Sequence, residues 1–301
     1  PVAPTGELMS MLAPLVDEHG PVKHIVVGSA AIEHKIYSGP FSKKFPSADV
    51  WLPPKNWSFP VDVPLETYVP YYPRGSPKTL PEDTASGVGA VPWQYQIEHS
   101  VLEVGGSSLR GFKDPWFVDT AFYDKRSKTM IVTDCVAYVP RAVPELQTPS
   151  KLLLVGKRST DDATPPDTFE NRLNGWKKMA LLVTYFFPEH EELVKPGLVE
   201  WSDGWEDNFD ALAERLLVPP VVRATLFNQD PKRVRAFVDR VCASWEFDKV
   251  VPAHWAAPVA AGPTEFARAF QFLENPAIDA FPEGDMKRGL KPIADAVARR
   301  E

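Results

Sequence analysis

The sequence lacks the features that mark several common protein classes. Only two of its 301 residues are cysteine, Cys135 and Cys242, and they form no C-x-x-C motif. Their spacing supports no disulfide, and we expect both to be buried as small apolar side chains. No apolar run approaches the roughly 18 residues that a membrane-spanning helix needs. The formal net charge of −7 argues against a nucleic-acid-binding surface and predicts an acidic, solvated one.

Motifs for phosphate binding and for serine catalysis are also absent. Ser29 does not lie in a G-x-S-x-G elbow, and the paired glycines do not join a strand to a helix as a phosphate cradle requires. The sequence contains no internal repeat and no low-complexity tract. Its length suits one large α/β domain or two small ones. We predict one domain over residues 1–282 and a charged tail helix over residues 283–301.

The chain is organised around the stretch 22–60. A β-branched run over residues 22–27, bounded by a proline and a glycine, predicts a buried strand. The loop after this strand carries Glu33 and His34 side by side. In α/β folds, ligands bind beyond the carboxyl ends of the strands. This loop is therefore the first place where the sequence predicts chemistry.

Hydrophobic periodicity and turn residues predict the other elements. Thr5 caps an amphipathic helix that ends at Gly20. A polar turn at 124–128 joins strands at 116–123 and 129–139 into a hairpin. Further strands are predicted at 48–52, 95–104, 152–155 and 249–251, and further helices at 35–45, 168–187, 207–217, 221–227, 231–245 and 264–273.

Residues 53–93 combine many prolines with several aromatic side chains and show almost no periodicity. Prolines at this density disfavour both helix and central strand. The aromatic side chains indicate a cover that packs on the domain. The aromatic residues in this stretch and just before it are Trp51, Trp57, Tyr68, Tyr71, Tyr72 and Trp93.

The residues from 28 to 34, GSAAIEH, resemble the motif T-H-x-H-x-D-H of the metallo-β-lactamase superfamily. The motif's last two residues correspond to Glu33 and His34, and Ser29 and Ala31 replace its first two histidines. The short motifs that follow in the sequence, EHK, GPF, KFP, A-x-V and N-W-S-F-P, are similar to those of a branch of that superfamily found in plants, algae, cyanobacteria and fungi. The resemblance covers most of residues 4–274.

This resemblance implies an αβ/βα four-layer sandwich of metallo-β-lactamase type. A chain that opens at PVAPTGEL is expected to lack the first strands of that sandwich. The resemblance also implies metal ligands at Asp134, which stands where the superfamily has a metal-bridging aspartate, and at His254, in a P-A-H context. The hairpin strand before Asp134 has no histidine, and Asp119 is its nearest polar candidate.

Glu33, His34, Asp134 and His254 together predict a site for at most one metal ion. Nitrogen and oxygen ligands suit Zn, Fe or Mn and leave a position open for water. Such an ion would lower the pKa of its water and polarise a substrate oxygen. The replaced histidines equally suit a site from which metal binding has been lost, so the sequence leaves open whether the protein is an enzyme.

Three functions follow from these readings. The first is a non-catalytic or accessory subunit with protein partners in a larger assembly. The second is a single-metal hydrolase of a small ester, thioester or lactone. The third is a small-molecule binder whose pocket contains Trp57, Trp93 and Trp255, with Ser29 and Asp119 as polar groups. The resemblance implies the plastid of a photosynthetic eukaryote as location, with the cytoplasm as the alternative.

Overall fold

The computed structural model describes residues 2–59, 72–73, 75–84, 91–105, 116–278 and 281–297. Within these ranges the chain is a mixed α/β protein with four β-sheets and helices packed against them. No helix in the same ranges is long and apolar enough to cross a membrane.

The strands and helices are numbered in chain order. The strands are β1 (His24–Val26), β2 (Asp49–Leu52), β3 (Lys78–Thr79), β4 (Ile97–Gly105), β5 (Trp116–Asp124), β6 (Thr129–Val132), β7 (Ala137–Tyr138), β8 (Glu191–Lys195), β9 (Leu198–Trp201), β10 (Leu216–Leu217), β11 (Lys249–Pro252) and β12 (Val259–Ala260). The α-helices are α1 (Gly6–His19), α2 (Ile32–Lys35), α3 (Ser38–Lys44), α4 (Pro149–Val155), α5 (Phe169–Tyr185), α6 (Trp205–Asp210), α7 (Pro220–Thr225), α8 (Pro231–Ser244), α9 (Pro263–Arg268), α10 (Glu283–Asp285) and α11 (Lys291–Val297). Turns of 3₁₀ helix lie at Phe227–Gln229 and Gln271–Leu273, and a π-helical turn lies at Met286–Leu290.

The largest sheet has five strands in the order β12-β11-β6-β5-β4. β4, β5 and β6 are antiparallel neighbours, as the predicted hairpin requires, and β12 is antiparallel to β11. β6 and β11 run parallel, with Val132 level with Pro252. The carboxyl ends of these two strands therefore meet at one edge of the sheet.

A smaller parallel sheet, β1-β2-β3, is joined to the large sheet by the residues after β1. The backbone N–H of Ala30 donates to Val118 O at 2.8 Å, and that of Thr120 donates to Gly28 O at 2.8 Å. A Cβ at position 28 would lie 2.8 Å from Oγ1 of Thr133, so a larger residue at this crossing would require that side chain to shift. The chain thus passes from one sheet to the other just before the predicted Glu33-His34 loop.

Two main cores hold these elements together. The first lies between the large sheet and helices α8 and α9, and it contains Met130, Val250 and Phe237. Its α8 residues recur at helical spacing, which gives the helix one apolar face. The second core packs α4, α5 and α6 against the C-terminal segment around Trp176 and Phe209.

The first helix forms as predicted, but its apolar face is not buried. Oγ1 of Thr5 accepts from the N–H of Leu8 at 3.2 Å, and Gly20 follows the last turn with φ +91°. No residue of α1 is buried, and the side chains of Met11 and Leu15 are 67% and 52% exposed. The predicted apolar face of this helix is therefore only partly covered.

The strand predicted at 152–155 is wrong, because these residues form the second half of α4. Pro149 occupies the first helical position, which suits its fixed φ. Leu152 and Leu153 are buried on one side of the helix. A short apolar run does not separate strand from helix by periodicity, and here packing against α5 decides for helix.

The strand predicted at 129–139 is interrupted. β6 ends at Val132, and β7 starts again at Ala137 and pairs with β10 instead. The N–H groups of Asp134 and Cys135 donate to the buried carboxylate of Asp119, so this part of the chain leaves the ladder.

The helix predicted at 207–217 is correct only at its start. Helix α6 ends at Asp210, and Leu216–Leu217 forms strand β10 against β7. The strand pairing, which sequence periodicity does not report, takes these residues out of the helix.

The described part of the predicted cover packs on the domain. The ring of Tyr72 lies 5.5 Å from that of Trp57, and the ring of Trp93 lies 5.2 Å from that of Trp51. Residues 60–71, 74 and 85–90 of this cover, with Tyr68 and Tyr71, lie outside the described residues.

The residues predicted as a tail helix are helical over their described part, 283–297. Leu290 is completely buried in the second core. A Cβ on Gly289 would overlap the backbone oxygen of Tyr185. The segment therefore docks closely against the end of α5, and residues 298–301 lie outside the described residues.

Candidate metal centre

Strand register brings two of the predicted ligands together. Asp134 and His254 each follow, by two residues, the paired positions Val132 and Pro252 at the carboxyl ends of β6 and β11. Parallel neighbouring strands end at the same edge of a sheet, which makes the two side chains neighbours. His34 reaches the same edge from α2, which follows the crossing of the chain onto β5.

The three side chains converge on one carboxylate oxygen. Nε2 of His34 lies 3.0 Å from Oδ1 of Asp134, and Nε2 of His254 lies 3.1 Å from the same atom. The other carboxylate oxygen, Oδ2, accepts a hydrogen bond from the hydroxyl of Ser29 at 2.9 Å. Both oxygens of Asp134 are thus engaged, and the orientation of its carboxylate is defined.

A second carboxylate, that of Asp119, holds the backbone beneath this cluster. Its Oδ2 accepts from the N–H of Asp134 at 2.9 Å and from that of Cys135 at 2.8 Å, and its Oδ1 accepts from the N–H of Thr120 at 2.9 Å. Asp119 is buried and lies opposite Ser29 in an antiparallel bridge. It therefore supports the cluster from the sheet side.

Burial, hydrogen bonds and neighbouring charges shift the pKa values of Asp134, His34 and Asp119. Burial disfavours the charged Asp134, but the hydrogen bonds from His254 and His34 outweigh it and hold the pKa of Asp134 below its usual value. Burial also opposes a charged His34, yet Asp134, with smaller contributions from Glu33 and Asp119, raises the pKa of His34. Burial, followed by the charge of Asp134, raises the pKa of Asp119 to about 7.

His34, Asp134 and His254 fit the donor set of one divalent transition-metal ion. Among the described residues they form the one cluster of at least three such side chains, with all three ligand atoms within 4.8 Å of one another. A tetrahedral ion with bonds of about 2.0–2.1 Å holds neighbouring ligand atoms about 3.3 Å apart. The separations of 3.0 and 3.1 Å to Asp134 are close to that spacing. Two imidazoles and one carboxylate suit Zn, Fe or Mn.

The fourth predicted ligand, Glu33, lies outside this cluster. It precedes His34 on α2, and its side chain is exposed. Glu33 lines both cavities that adjoin the cluster, so its carboxylate is near the ligands without being one of the three converging groups.

Two cavities adjoin the cluster. The smaller, of about 370 Å³, is lined by Asp134 and His254 and mostly by apolar side chains, and we call it the apolar chamber. The larger, of about 1040 Å³, is lined by His34 and is more open and polar, and we call it the outer cleft. The cluster forms part of the walls of both.

The residues predicted to share one pocket are distributed over different places. Trp255 lines the apolar chamber and Trp93 lines the outer cleft. Trp57 lines neither of these two cavities, and its ring instead lies 5.3 Å from the ammonium of Lys35. Ser29 and Asp119 are buried beneath the cluster.

No role for Lys35 was predicted from the sequence. In the structure, its side chain joins two of the elements that form the site. Its side chain is completely buried, and its ammonium donates to the backbone oxygens of Asn56, at 2.8 Å, and Phe59. Burial lowers the pKa of Lys35 to about 7, against the opposing charge of Glu33. Lys35 thereby ties the helix that carries His34 to the loop that carries Phe59, a wall of the apolar chamber. Its partners lie more than 20 positions away, so no local pattern signals them.

Comparison with known proteins gives a family and no described function. No curated protein and no solved structure matches the chain. Residues 1–272 match the model of a family described as "Domain of unknown function (DUF4336)". Since this match spans most of the chain, the protein belongs to the DUF4336 family.

Proposed function

We propose that this protein binds one divalent transition-metal ion through His34, Asp134 and His254 and hydrolyses a small ester, thioester or lactone there. The observation that carries the proposal is the convergence of two imidazole nitrogens and one carboxylate oxygen at the wall of a ligand-sized cavity. A partly buried donor cluster beside a mostly apolar cavity with a few convergent polar groups is the usual anatomy of an active site.

We also propose that the fold is a variant of the metallo-β-lactamase sandwich. Support comes from the position of each ligand after a strand: His34 after β1, Asp134 after β6 and His254 after β11. The order of these ligands along the chain, His34, then Asp134, then His254, is the order that the resemblance implies. Ser29 and Ala31 stand where the second metal position of that superfamily would need histidines, which is why the proposal has one ion.

Each residue near the cluster has a separate part in this proposal. A bound ion would supply Lewis-acid polarisation of a substrate carbonyl and activation of water. Ser29 orients the carboxylate of Asp134, and Asp119 fixes the backbone that carries it. Glu33, exposed and lining the same chamber as Asp134 and His254, is placed to accept a proton from water as a general base.

Elemental mass spectrometry of the purified chain tests the proposal. We expect about one Zn, Fe or Mn per chain, and less than about a tenth of that in His254→Ala, because the cluster then keeps only two donors. The side chain of His254 is 43% exposed, so the substitution leaves the core intact. His19→Ala is the matched control, since His19 is exposed at the end of α1 and should retain the ion.

Turnover separates a catalytic centre from a metal site alone. The metal-loaded chain should hydrolyse p-nitrophenyl esters, with no turnover by His254→Ala. A chain that stays metal-free after incubation with excess Zn²⁺, Fe²⁺ and Mn²⁺ would rule out metal-dependent hydrolysis.

A non-catalytic accessory subunit is the second candidate, and the surface of α1 favours it. Met11 and Leu15 expose apolar surface on a helix that buries none of its residues. Exposed apolar helix faces mark interaction sites. In this case the double substitution Met11→Glu and Leu15→Glu would release the chain from its native assembly in size-exclusion chromatography, and the wild-type chain would contain no metal.

A further inference from the structure

The apolar chamber has the size and lining of a site for a small organic molecule. Its volume of about 370 Å³ lies within the range of known ligand sites. Eleven of its sixteen lining residues are apolar. Three of the five polar ones, Glu33, Asp134 and His254, lie where the chamber adjoins the cluster. The chamber is therefore apolar along most of its wall and polar where it meets the candidate metal ligands.

Two aromatic residues of the chamber wall are held in a backbone conformation that disfavours them. Phe186 has φ +64° and Trp255 has φ +65°. Phe186 follows the last residue of α5, a position where glycine is the usual solution. Bulky residues with positive φ are strained and concentrate at functional sites. Both aromatic side chains line the chamber. The strain at these two residues therefore indicates that the chamber wall has a function.

A buried hydroxyl at the chamber also lacks a partner. Thr184 lines the chamber and is 1% exposed, and its Oγ1 has no hydrogen-bond partner among the described residues. The other threonine of the chamber, Thr225, differs, because its Oγ1 donates to Val221 O at 2.6 Å. Buried polar groups are almost always paired, so an unpaired hydroxyl beside a cavity points to a ligand atom.

The opening of the chamber is apolar as well. Val183 and Phe186 line the chamber and remain 53% and 44% exposed, and the neighbouring Phe187 is 59% exposed. Exposed apolar side chains grouped at the edge of a cavity favour the entry of a molecule with an apolar body. A small hydrophilic molecule would gain nothing from this rim.

We propose that the chamber takes the apolar body of an oxygenated amphiphile. That body is a hydrocarbon chain or ring system with one oxygen that accepts a hydrogen bond from Thr184. Its ester or lactone group points to the His254 and Asp134 end. Only this last placement rests on the proposed function; the filling of the chamber by an apolar body does not need a metal ion.

Calorimetric titration of the metal-free chain with 2-decanone tests the filling of the chamber, with 2-butanone as the short control. EDTA treatment before titration keeps the result independent of metal. We expect saturable binding of 2-decanone and at least tenfold weaker binding of 2-butanone, because only the longer ketone buries a chain. Equal binding of the two ketones, or binding of neither, would overturn the inference.

A matched pair of tryptophan substitutions locates the ketone. Val183→Trp places an indole at the opening and should lower the affinity for 2-decanone at least tenfold. Val194→Trp makes the same change at a similarly exposed valine, 55% against 53%, on strand β8 away from the chamber, and should leave affinity unchanged. Retention of full affinity in Val183→Trp would place the ketone elsewhere.

A second pair isolates the hydroxyl. Thr184→Val should weaken 2-decanone binding by roughly two- to tenfold, the value of one neutral hydrogen bond. Thr225→Val should have no effect, since that hydroxyl is already paired within α7. The chain could bind the ketone with these variant effects and yet take up no metal. That result would disprove metal-dependent hydrolysis and support the inference that the chamber binds an apolar body. Metal uptake without ketone binding would overturn the inference about the chamber and leave the metal site in place.

Discussion

At the scale of single residues, the carboxylate of Asp134 holds the candidate site together. One oxygen accepts from two imidazoles and the other from Ser29, so its direction does not depend on backbone position alone. The hydroxyl of Ser29 therefore supports a side chain that we propose as a metal ligand.

Ser29→Ala should weaken metal binding by about 10–100-fold, because groups that orient a ligand typically contribute that much. Metal dissociation constants measured with a competing chelator check this. The unfolding free energy of the metal-free chain provides the second measurement, which a merely structural role would change instead. Ser42→Ala is the control, since Ser42 is also buried but donates to Gly39 O within α3 and does not bond a residue of the cluster. Equal metal affinity in Ser29→Ala and wild type would show that Asp134 is oriented without the serine.

At the scale of elements, the parallel pair β6 and β11 decides which residues meet. Asp134 and His254 are 120 positions apart in the chain and become neighbours because each follows its strand by the same two residues. The break after β6 is part of the same arrangement, since Asp119 takes up the N–H groups of Asp134 and Cys135. The interruption of the strand thus accompanies the placement of the Asp134 carboxylate against the two histidines.

The close approach of α4 and α5 gives a prediction at this scale. A Cβ at Gly175 would overlap the carbonyl of Leu152, so Gly175→Ala must push the helices apart. We expect a loss of about 1–3 kcal/mol in the free energy of unfolding, as overpacking usually costs. Urea denaturation measures it.

Gly6→Ala is the control for Gly175→Ala. Nothing lies within 4 Å of a Cβ at Gly6, and alanine favours helix, so its stability should not fall. Equal denaturation midpoints for Gly175→Ala and wild type would contradict the packing of these two helices.

At the scale of the whole molecule, the apolar chamber lies between the two main cores. Phe117 and Val222 belong to the first core, and Trp255 packs against the second. The C-terminal segment adds Ile293 to the same wall, although this segment lies outside the part matched by the family model. The chamber is therefore a property of the assembled chain, and no single element contains it.

Metal binding should stabilise the whole chain if the cluster forms only on folding. An ion at 100 times its dissociation constant adds about 2.7 kcal/mol, which corresponds to a rise of several degrees in Tm. Differential scanning calorimetry with and without Zn²⁺ measures the shift. His19→Ala should show the full shift and His254→Ala little or none. An equal shift in His254→Ala would place the stabilising ion elsewhere.

Local patterns were enough to predict much of this protein. The hairpin at 116–132, the long helices α5 and α8, and the strand at 249–252 follow from periodicity and capping residues that neighbours in sequence supply. The predicted ligands His34, Asp134 and His254 do come together. Asp134 and His254 follow parallel neighbouring strands, whose ends meet at one sheet edge, and His34 follows the crossing of the chain from the smaller sheet.

Tertiary structure alone decided the rest, because the deciding partners are distant in sequence. Packing on α5 made residues 152–155 helical, and pairing with β7 ended the helix predicted to 217. The support of the cluster by Ser29 and Asp119, and the tie from Lys35 to the Phe59 loop, join residues 15 to 105 positions apart. The sequence determines which side chains are available for chemistry. Only the folded chain decides which of them share an atom, face a cavity or support the others, since those relations depend on distances that no local pattern contains.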